Sequence, residues 1–249
     1  MLNTQARCAG YVKKWPRLFD FSKSILRKFE KTSRIYRLLA DYEKSRENVI
    51  FLQIGSNDGI SNDPLREFIV NGDKWEGCCI EPLPHVFVQL QKNYKYVQRA
   101  SLKFRNAAIS DSTGQMAFYR VKNEFHHECP GYPDQISSFS IDHVIKHFPA
   151  HLRSADKIES IPVEVLSPTA LLKQLGYDRV DILHLDVEGH EKKILDAYPF
   201  EEFRPEIIIF ESVHLAQPDL AQITARLREL DFDIENCGMD TLAIQRPKI

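Results

Sequence analysis

From Val49 onward, short apolar runs of strand length alternate with segments whose apolar residues recur at helical spacing. The apolar runs are continuous, which is typical of strands covered on both faces. This alternation predicts a parallel, doubly wound α/β sheet, in which the strand carboxyl ends meet at one edge where ligands bind. The predicted strands cover 49–54, 76–80, 102–109, 180–185 and 206–210, and the predicted helices cover 64–71, 84–94, 168–175 and 190–197.

The end of the chain predicts a closing hairpin. A helix is expected over 218–231, followed by strands over 232–236 and 241–245. With these strands the sequence predicts a Rossmann-like, seven-stranded sheet that is parallel except for one antiparallel edge strand. Two helix starts are marked by a capping side chain before a proline, at Asp63 and at Ser167.

Residues 111–166 interrupt the alternation and predict an insertion on the substrate side of the domain. Strands are expected over 115–121 and 158–166, with a polar loop and a short helix near 141–148 between them. Insertions between core elements commonly carry substrate specificity.

The first 47 residues are predicted to form a basic helical extension, and the α/β domain is predicted to cover 48–249. Residues 18–39 show helical periodicity, and residues 1–47 carry twelve Lys and Arg against five acids, in a chain whose net charge is −2. Such a helix can contact a membrane surface or another anionic partner. It is more often packed on its own domain or on a second subunit of a homo-oligomer, and the sequence leaves these alternatives open.

Composition narrows the class of protein. No apolar run approaches the ~18 residues of a membrane helix, and the N-terminus lacks the apolar core of a secretory signal. The five cysteines are odd in number and form no CxxC pair, which favours reduced thiols. The acidic core has no basic patch interleaved with aromatics, so no nucleic-acid partner is expected. The chain is therefore predicted to be cytoplasmic.

A glycine-bounded loop, with Gly55, Asn57, Asp58 and Gly59, follows the first predicted strand. Glycine permits the close backbone approach and the dihedral angles that a ligand at a strand end requires. The spacing is G-x-x-x-G, whereas a dinucleotide pyrophosphate is bound by G-x-G-x-x-G. The loop is therefore either a ligand site of another kind or a plain tight turn.

The second and third strands also end in polar groups. Glu81, followed by Pro82, lies 26 residues past Gly55, where an acid can accept hydrogen bonds from both hydroxyls of a ribose. A surface glutamate is the alternative. Asn106, followed by Ala107, can both donate and accept, which suits an adenine edge or a loop backbone.

The strongest signal is the acidic segment that follows the fourth strand, with Asp186, Glu188 and Glu191. Glu211 ends the fifth strand and His214 follows it, so these groups are expected at one sheet edge. Crowded carboxylates raise one another's pKa, which suits a general base. Asp186, Glu188, Glu211 and His214 are therefore the catalytic candidates, whereas Glu191 is also explained by the helix dipole.

Two alternatives involve a metal ion. The tract His126–Cys129 fits no standard zinc spacing. The four catalytic candidates could instead bind a divalent ion as an oxygen-rich site. Neither alternative is preferred, and the sequence-based prediction is that the chain holds no metal.

Together these segments resemble the FkbM family of methyltransferases over about residues 48–246. The D-x-E-G-x-E pattern of 186–191 is the most specific segment. Gln53 departs from the family pattern, in which an acid commonly stands two residues before the first glycine, and this leaves the role of that acid unassigned. The other segments are IGSNDG at 54–59, IEPLP at 80–84, NAAIS at 106–110, ISSF at 136–139 and IIIFES at 207–212.

The resemblance implies a class I methyltransferase fold for the domain predicted over 48–249, and S-adenosylmethionine as its cofactor. The loop Gly55–Gly59 is then expected to line the methionine part of the cofactor. Glu81 and Pro82 are expected to hold its ribose, and Asn106 and Ala107 to border its adenine.

The resemblance also implies methylation of a hydroxyl on a sugar, glycan or natural product, with Asp186 near the reactive methyl. Ser137 and Ser138, in the insertion, are candidate substrate contacts. Two other classes stay open: a cofactor-binding protein without transferase activity, and a dinucleotide or nucleotide-sugar enzyme. The missing G-x-G-x-x-G argues against the second of these.

Overall fold

The computed structural model describes residues 33–97 and 101–247. The chain divides after Ser45 into two compact units. The first unit contributes helix α1 (Arg34–Lys44), whose N-cap Ser33 accepts a hydrogen bond from the amide of Tyr36 at 3.1 Å. Most of the helix predicted over 18–39 lies outside the described residues.

The second unit contains ten strands and six further helices among its described residues. The strands are β1 (Val49–Ile54), β2 (Trp75–Ile80), β3 (Leu102–Arg105), β4 (Ala108–Ile109), β5 (Gly114–Val121), β6 (Ile158–Leu166), β7 (Ile182–Leu185), β8 (Ile207–Glu211), β9 (Phe232–Cys237) and β10 (Asp240–Gln245). The helices are α2 (Arg66–Asn71), α3 (Pro84–Asn93), α4 (Ile141–Lys146), α5 (Pro168–Leu175), α6 (Glu191–Ala197) and α7 (Gln217–Glu229).

Seven strands form the main sheet, in the order β3-β2-β1-β7-β8-β10-β9. The first five strands in this order, β3, β2, β1, β7 and β8, run parallel to one another. β10 is antiparallel to both of its neighbours, β8 and β9. The predicted seven-stranded, mostly parallel sheet is therefore confirmed. The antiparallel strand comes from the closing hairpin, as predicted. It is the last strand but one, because β10 pairs with β8 and β9 forms the edge of the sheet.

The centre of the sheet is buried on both faces, as its continuous apolar runs predict. All residues of β1, β7 and β8 are buried. Leu52, Leu183 and Ile208 belong to one core cluster. His184, in the middle of β7, is 4% exposed, and burial lowers its pKa to about 4. It is the core residue that its position predicted.

A second sheet, in the order β4-β6-β5, covers the insertion side. The prediction of a single strand over 102–109 is wrong, because Asn106 and Ala107 interrupt it and divide the segment into β3 and β4. Residues before the break belong to the main sheet, whereas Ala108 and Ile109 pair with Val165 and Leu166 of β6. The antiparallel pair of β5 and β6 and the short helix α4 between them confirm the elements predicted for the insertion.

Within residues 33–97 and 101–247, no helix is both long enough and apolar enough to cross a membrane. The longest of these helices is α7, with 13 residues. Cys78, Cys79 and Cys129 are buried free thiols.

Candidate functional site

The loop after β1 is held against the ends of two neighbouring strands. The amides of Gly55 and Ser56 donate to the carbonyl of Ile80, at the end of β2, at 3.0 and 2.9 Å. Gly55 has a φ of +82°, and a Cβ on it would lie 1.7 Å from the backbone oxygen of Asp186, just past β7. Only glycine allows this contact. The loop therefore brings the ends of β1, β2 and β7 together.

Glu81 is fixed at the end of β2 by two backbone amides. Its carboxylate accepts from the amide of Asn57 at 3.0 Å and from the amide of Leu83 at 2.8 Å. The residue is 6% exposed, and burial raises its pKa to about 8, with a smaller contribution from Asp134 and Asp186. Glu81 is therefore a positioned, buried acid and not a surface side chain.

Asn106 fixes the loop that carries Glu81. Its side-chain amide donates to the carbonyl of Glu81 at 2.8 Å and to that of Pro82 at 3.0 Å. Of the two uses that the sequence left open, an adenine edge and a loop backbone, the structure shows the second. Ala107 beside it is buried.

Asp58 and Asp63 make contacts that the sequence did not reveal. Asp58 accepts from the amides of Ile60 and Ser61, both at 2.9 Å, so its carboxylate closes its own turn. Asp63 accepts from the side-chain amide of Gln53 at 2.9 Å and from the Tyr94 hydroxyl at 3.1 Å. An acid therefore does stand against position 53, but the loop after β1 supplies it. Burial raises the pKa of Asp63.

Three catalytic candidates meet past the ends of β7 and β8. Carboxylate oxygens of Asp186, Glu188 and Glu211 all lie within 4.8 Å of one another. Burial raises the pKa of Asp186, and the neighbouring charge of Glu188 raises it further. Burial and the charge of Asp186 raise the pKa of Glu211 in the same way. The convergence predicted from the strand ends is thus present in the structure.

These carboxyl groups differ in what else they contact. Glu188 has a φ of +56°, a strained conformation typical of functional sites, and burial raises its pKa to about 7. Glu211 is 6% exposed, and one of its oxygens has no hydrogen-bond partner among the described residues. Asp186 is half-buried.

Glu191 has a structural contact. Its carboxylate accepts from the amide of Val187 at 3.0 Å, below the turn that carries Glu188. The residue is fully buried, and burial raises its pKa to about 8. Glu191 therefore supports the turn.

Four further side chains surround Glu188. Nε2 of His143 lies 2.9 Å from Oε2 of Glu188, and Nε2 of His214 lies 3.3 Å from the same oxygen. The ring of His147 lies 4.9 Å from that of His143. Burial lowers the pKa of both His143 and His147 to about 4. Ser138 donates to the carbonyl of Glu188 at 3.3 Å.

The sequence prediction missed His143 and His147. The signal was present, because the two histidines are four residues apart on the predicted short helix and such residues share one helical face. Ser137, the other candidate substrate contact, is buried, and its hydroxyl has no partner in the described part of the chain.

The tract His126–Cys129 does not form one site. His126 contacts the carbonyl of Val121 at 3.2 Å, and Glu128 pairs with Lys157. The side chain of His127 is 75% exposed. His127 and Glu128 lie 3.9 Å apart, but His126 and Glu128 contact different partners outside the tract, in keeping with a spacing that fits no zinc pattern.

This sheet order, with an antiparallel strand inserted beside the edge, defines a Rossmann-like class I methyltransferase fold. The family model described as the methyltransferase FkbM domain matches residues 53–234. The chain therefore belongs to the FkbM family of methyltransferases, and the resemblance drawn from the sequence is confirmed.

No curated protein matches the chain. One similar solved structure is precorrin-6y C5,15-methyltransferase from Geobacter metallireducens GS-15. It shares 10% identity and a TM-score of 0.38 over 80% of this chain and 82% of that one. A likeness at this level carries no argument about the acceptor.

Proposed function

We propose that the chain transfers a methyl group from S-adenosylmethionine to a hydroxyl of a sugar, glycan or natural product. The observation that carries the proposal is the convergence of Asp186, Glu188 and Glu211 beside the loop that holds Glu81. In this proposal the cofactor site and a group of proton acceptors share one sheet edge, as methylation of a hydroxyl requires.

The residues at the ends of β1 and β2 fit the cofactor. Each oxygen of Glu81 accepts one backbone amide, which fixes the carboxylate and leaves lone pairs for the two ribose hydroxyls. The loop that begins at Gly55 lies against the end of β2 beside Glu81, and the proposal assigns it to the methionine part. The proposal assigns the adenine a place beside Pro82 and the small Ala107, as the family resemblance implies.

S-adenosylmethionine supplies a methyl carbon made electrophilic by its bond to a sulfonium sulfur. The protein contributes by aligning the acceptor oxygen with that carbon and by excluding water. As the oxygen–carbon bond forms and the carbon–sulfur bond breaks, the hydroxyl proton must pass to a base. S-adenosylhomocysteine and the methyl ether are the products.

Asp186 is the best placed base. Its carboxylate makes no hydrogen bond with the side chains that the structure describes and is half-buried, so an acceptor can reach it. Glu188 is already in contact with His143 and His214. Glu211 is more deeply buried than Asp186, which favours a supporting role in orienting the acceptor.

The cofactor part of the proposal is tested by calorimetric titration with S-adenosylmethionine and S-adenosylhomocysteine. We expect micromolar binding by the wild-type protein and a loss of at least about tenfold in Glu81→Ala, because the fixed hydrogen-bond acceptor for the ribose is removed. The exposed Glu202→Ala is the matched control. Absence of binding to either compound in a folded sample would overturn the proposal.

The acceptor part is tested by measuring release of S-adenosylhomocysteine with a panel of sugars, glycans and polyhydroxylated natural products. Turnover with a hydroxyl compound, and formation of a methyl ether by mass spectrometry, is the expected result. A protein that binds the cofactor but transfers no methyl group to any hydroxyl would instead be a binding protein without transferase activity.

A further inference from the structure

Three imidazoles and one carboxylate meet beside the cluster of Asp186, Glu188 and Glu211, where the insertion contacts it. Ligand atoms of His143, His147, His214 and Glu188 all lie within 4.8 Å of one another. We propose that these four side chains bind one divalent transition-metal ion of the zinc class. The proposal departs from the sequence-based expectation that the chain holds no metal.

Separate parts of the chain bring these ligands together. Helix α4 carries His143, and His147 caps its carboxyl end, so the two imidazoles lie one helical turn apart on one face. Glu188 lies in the turn after β7 with a φ of +56°, and its carboxylate contacts His143 and His214. His214 follows the end of β8, three residues after Glu211. The candidate site therefore joins the insertion to the edge of the main sheet.

The distances are close to those of a metal site. Ligand atoms around a tetrahedral zinc ion lie about 2.0–2.2 Å from the metal and so about 3.3–3.6 Å from one another. Two imidazole nitrogens already lie 2.9 and 3.3 Å from one oxygen of Glu188. The three imidazole rings lie 4.9, 5.0 and 5.4 Å apart, centroid to centroid. The proposed coordination requires the four ligand atoms, which lie within 4.8 Å of one another, to close to these separations.

Hydrogen bonding alone does not account for the cluster. Buried polar atoms in native proteins are nearly always paired, yet Nε2 of His147 is buried and has no hydrogen-bond partner among the described residues. His143 and His214 meanwhile share a single oxygen of Glu188. A cation would satisfy the unpaired nitrogen and replace this shared contact.

The donor set selects the kind of metal. Imidazole nitrogens suit zinc, cobalt, nickel, copper and iron, whereas magnesium and calcium prefer oxygen ligands. With three nitrogens to one oxygen, the cluster differs from the oxygen-rich site that the sequence suggested around Asp186 and Glu211. Those two carboxylates are its neighbours through Glu188.

The metal would have two effects. It would tie helix α4 to the turns after β7 and β8. Through Glu188 it would also place positive charge beside Asp186 and Glu211, where it can stabilise negative charge that develops on an acceptor oxygen. The second effect rests on the proposed methyl transfer, whereas metal binding itself does not.

The test uses tag-free, full-length protein treated with a chelator and then dialysed. Titration with ZnCl₂ by calorimetry and with CoCl₂ by visible absorption should each show one equivalent per chain. The Co²⁺ spectrum should display the ligand-field bands of a four-coordinate site with nitrogen and oxygen donors. We expect His143→Ala and His147→Gln to weaken binding by at least about tenfold, because each removes a ligand.

His127→Ala and His151→Ala are the matched controls, since both histidines are exposed and lie outside the cluster. Wild-type protein that binds neither ion, or ligand variants that bind as the controls do, would overturn the proposal. Circular dichroism checks that the variants fold. Titration of the same metal-free sample with S-adenosylmethionine separates this result from the proposed function, because cofactor binding through Glu81 does not depend on the cluster.

Discussion

At the scale of single residues, the site depends on a few backbone positions that admit no ordinary side chain. Gly55 and Gly131 show this by contrast, because both have a positive φ, +82° and +83°. A Cβ on Gly55 meets the Asp186 backbone, whereas one on Gly131 meets open space. The energetic cost of the left-handed backbone can therefore be separated by experiment from the cost of the steric contact.

Gly55→Ala is expected to lower the free energy of unfolding by several kcal/mol more than Gly131→Ala, which should cost only the ~1–2 kcal/mol of its left-handed backbone. Urea denaturation of both variants measures the difference. Equal costs would show that the loop after β1 does not press against the turn at Asp186 as described.

A second prediction at this scale concerns the base. Asp186→Asn keeps the shape of the side chain but removes its ability to accept a proton, so kcat should fall by about 10²–10⁴. The affinity for the cofactor should change little. Steady-state kinetics with an active acceptor, beside the exposed control Asp178→Asn, separates kcat from KM. Unchanged kcat would move the role of base to Glu188 or Glu211.

At the scale of elements, helix starts show where local sequence decides and where it does not. Ser167 caps α5 by accepting from the amide of Ala170 at 3.2 Å, with Pro168 at the first position, as predicted. Asp63 also precedes a proline, but α2 begins only at Arg66. Asp63 still accepts a hydrogen bond from the amide of Arg66, the first residue of α2. Its carboxylate also accepts from the side chains of Gln53 and Tyr94.

Ser167→Ala should therefore lower the free energy of unfolding by about 1 kcal/mol, the usual cost of losing an N-cap. Thermal or urea denaturation measures it, with exposed Ser112→Ala as the control. A variant as stable as this control would mean that Pro168 and packing alone set the start of α5.

At the scale of the whole molecule, the protein buries acidic side chains that bind a proton more tightly in the folded state than in the unfolded chain. Burial raises the pKa of Glu81 and of Glu191 from an ordinary 4.5 to about 8. At neutral pH both are protonated in the folded protein and ionised in the unfolded chain, so the folded state holds more protons. Stability from these groups is present at low pH and is lost as the pH rises toward 8.

We therefore expect the free energy of unfolding of the cofactor-free and metal-free protein to fall between about pH 5 and pH 8, the window between the unfolded and folded pKa of these acids. Between the unfolded and the folded pKa, each such group contributes a downward slope of about 1.4 kcal/mol per pH unit. Glu81→Gln should flatten the slope, because glutamine has no proton to lose. Denaturation series at several pH values test this, and an equal slope in the variant would contradict it.

The sequence by itself determined the order of strands and helices, the family and the residues at the strand ends. Its apolar runs and the positions of glycine and proline act locally along the chain, and the carboxyl ends of parallel strands meet at one edge whatever the loops do. The acids Glu81, Asp186 and Glu211 were therefore foreseen at that edge.

Only the tertiary structure decided what packs against those acids. The pairing of β4 with β6 and the approach of His143 and His147 to Glu188 each join segments far apart in sequence. Such contacts depend on how the insertion folds over the sheet edge, and no local pattern encodes that distance. The chemistry of the site therefore required the folded chain.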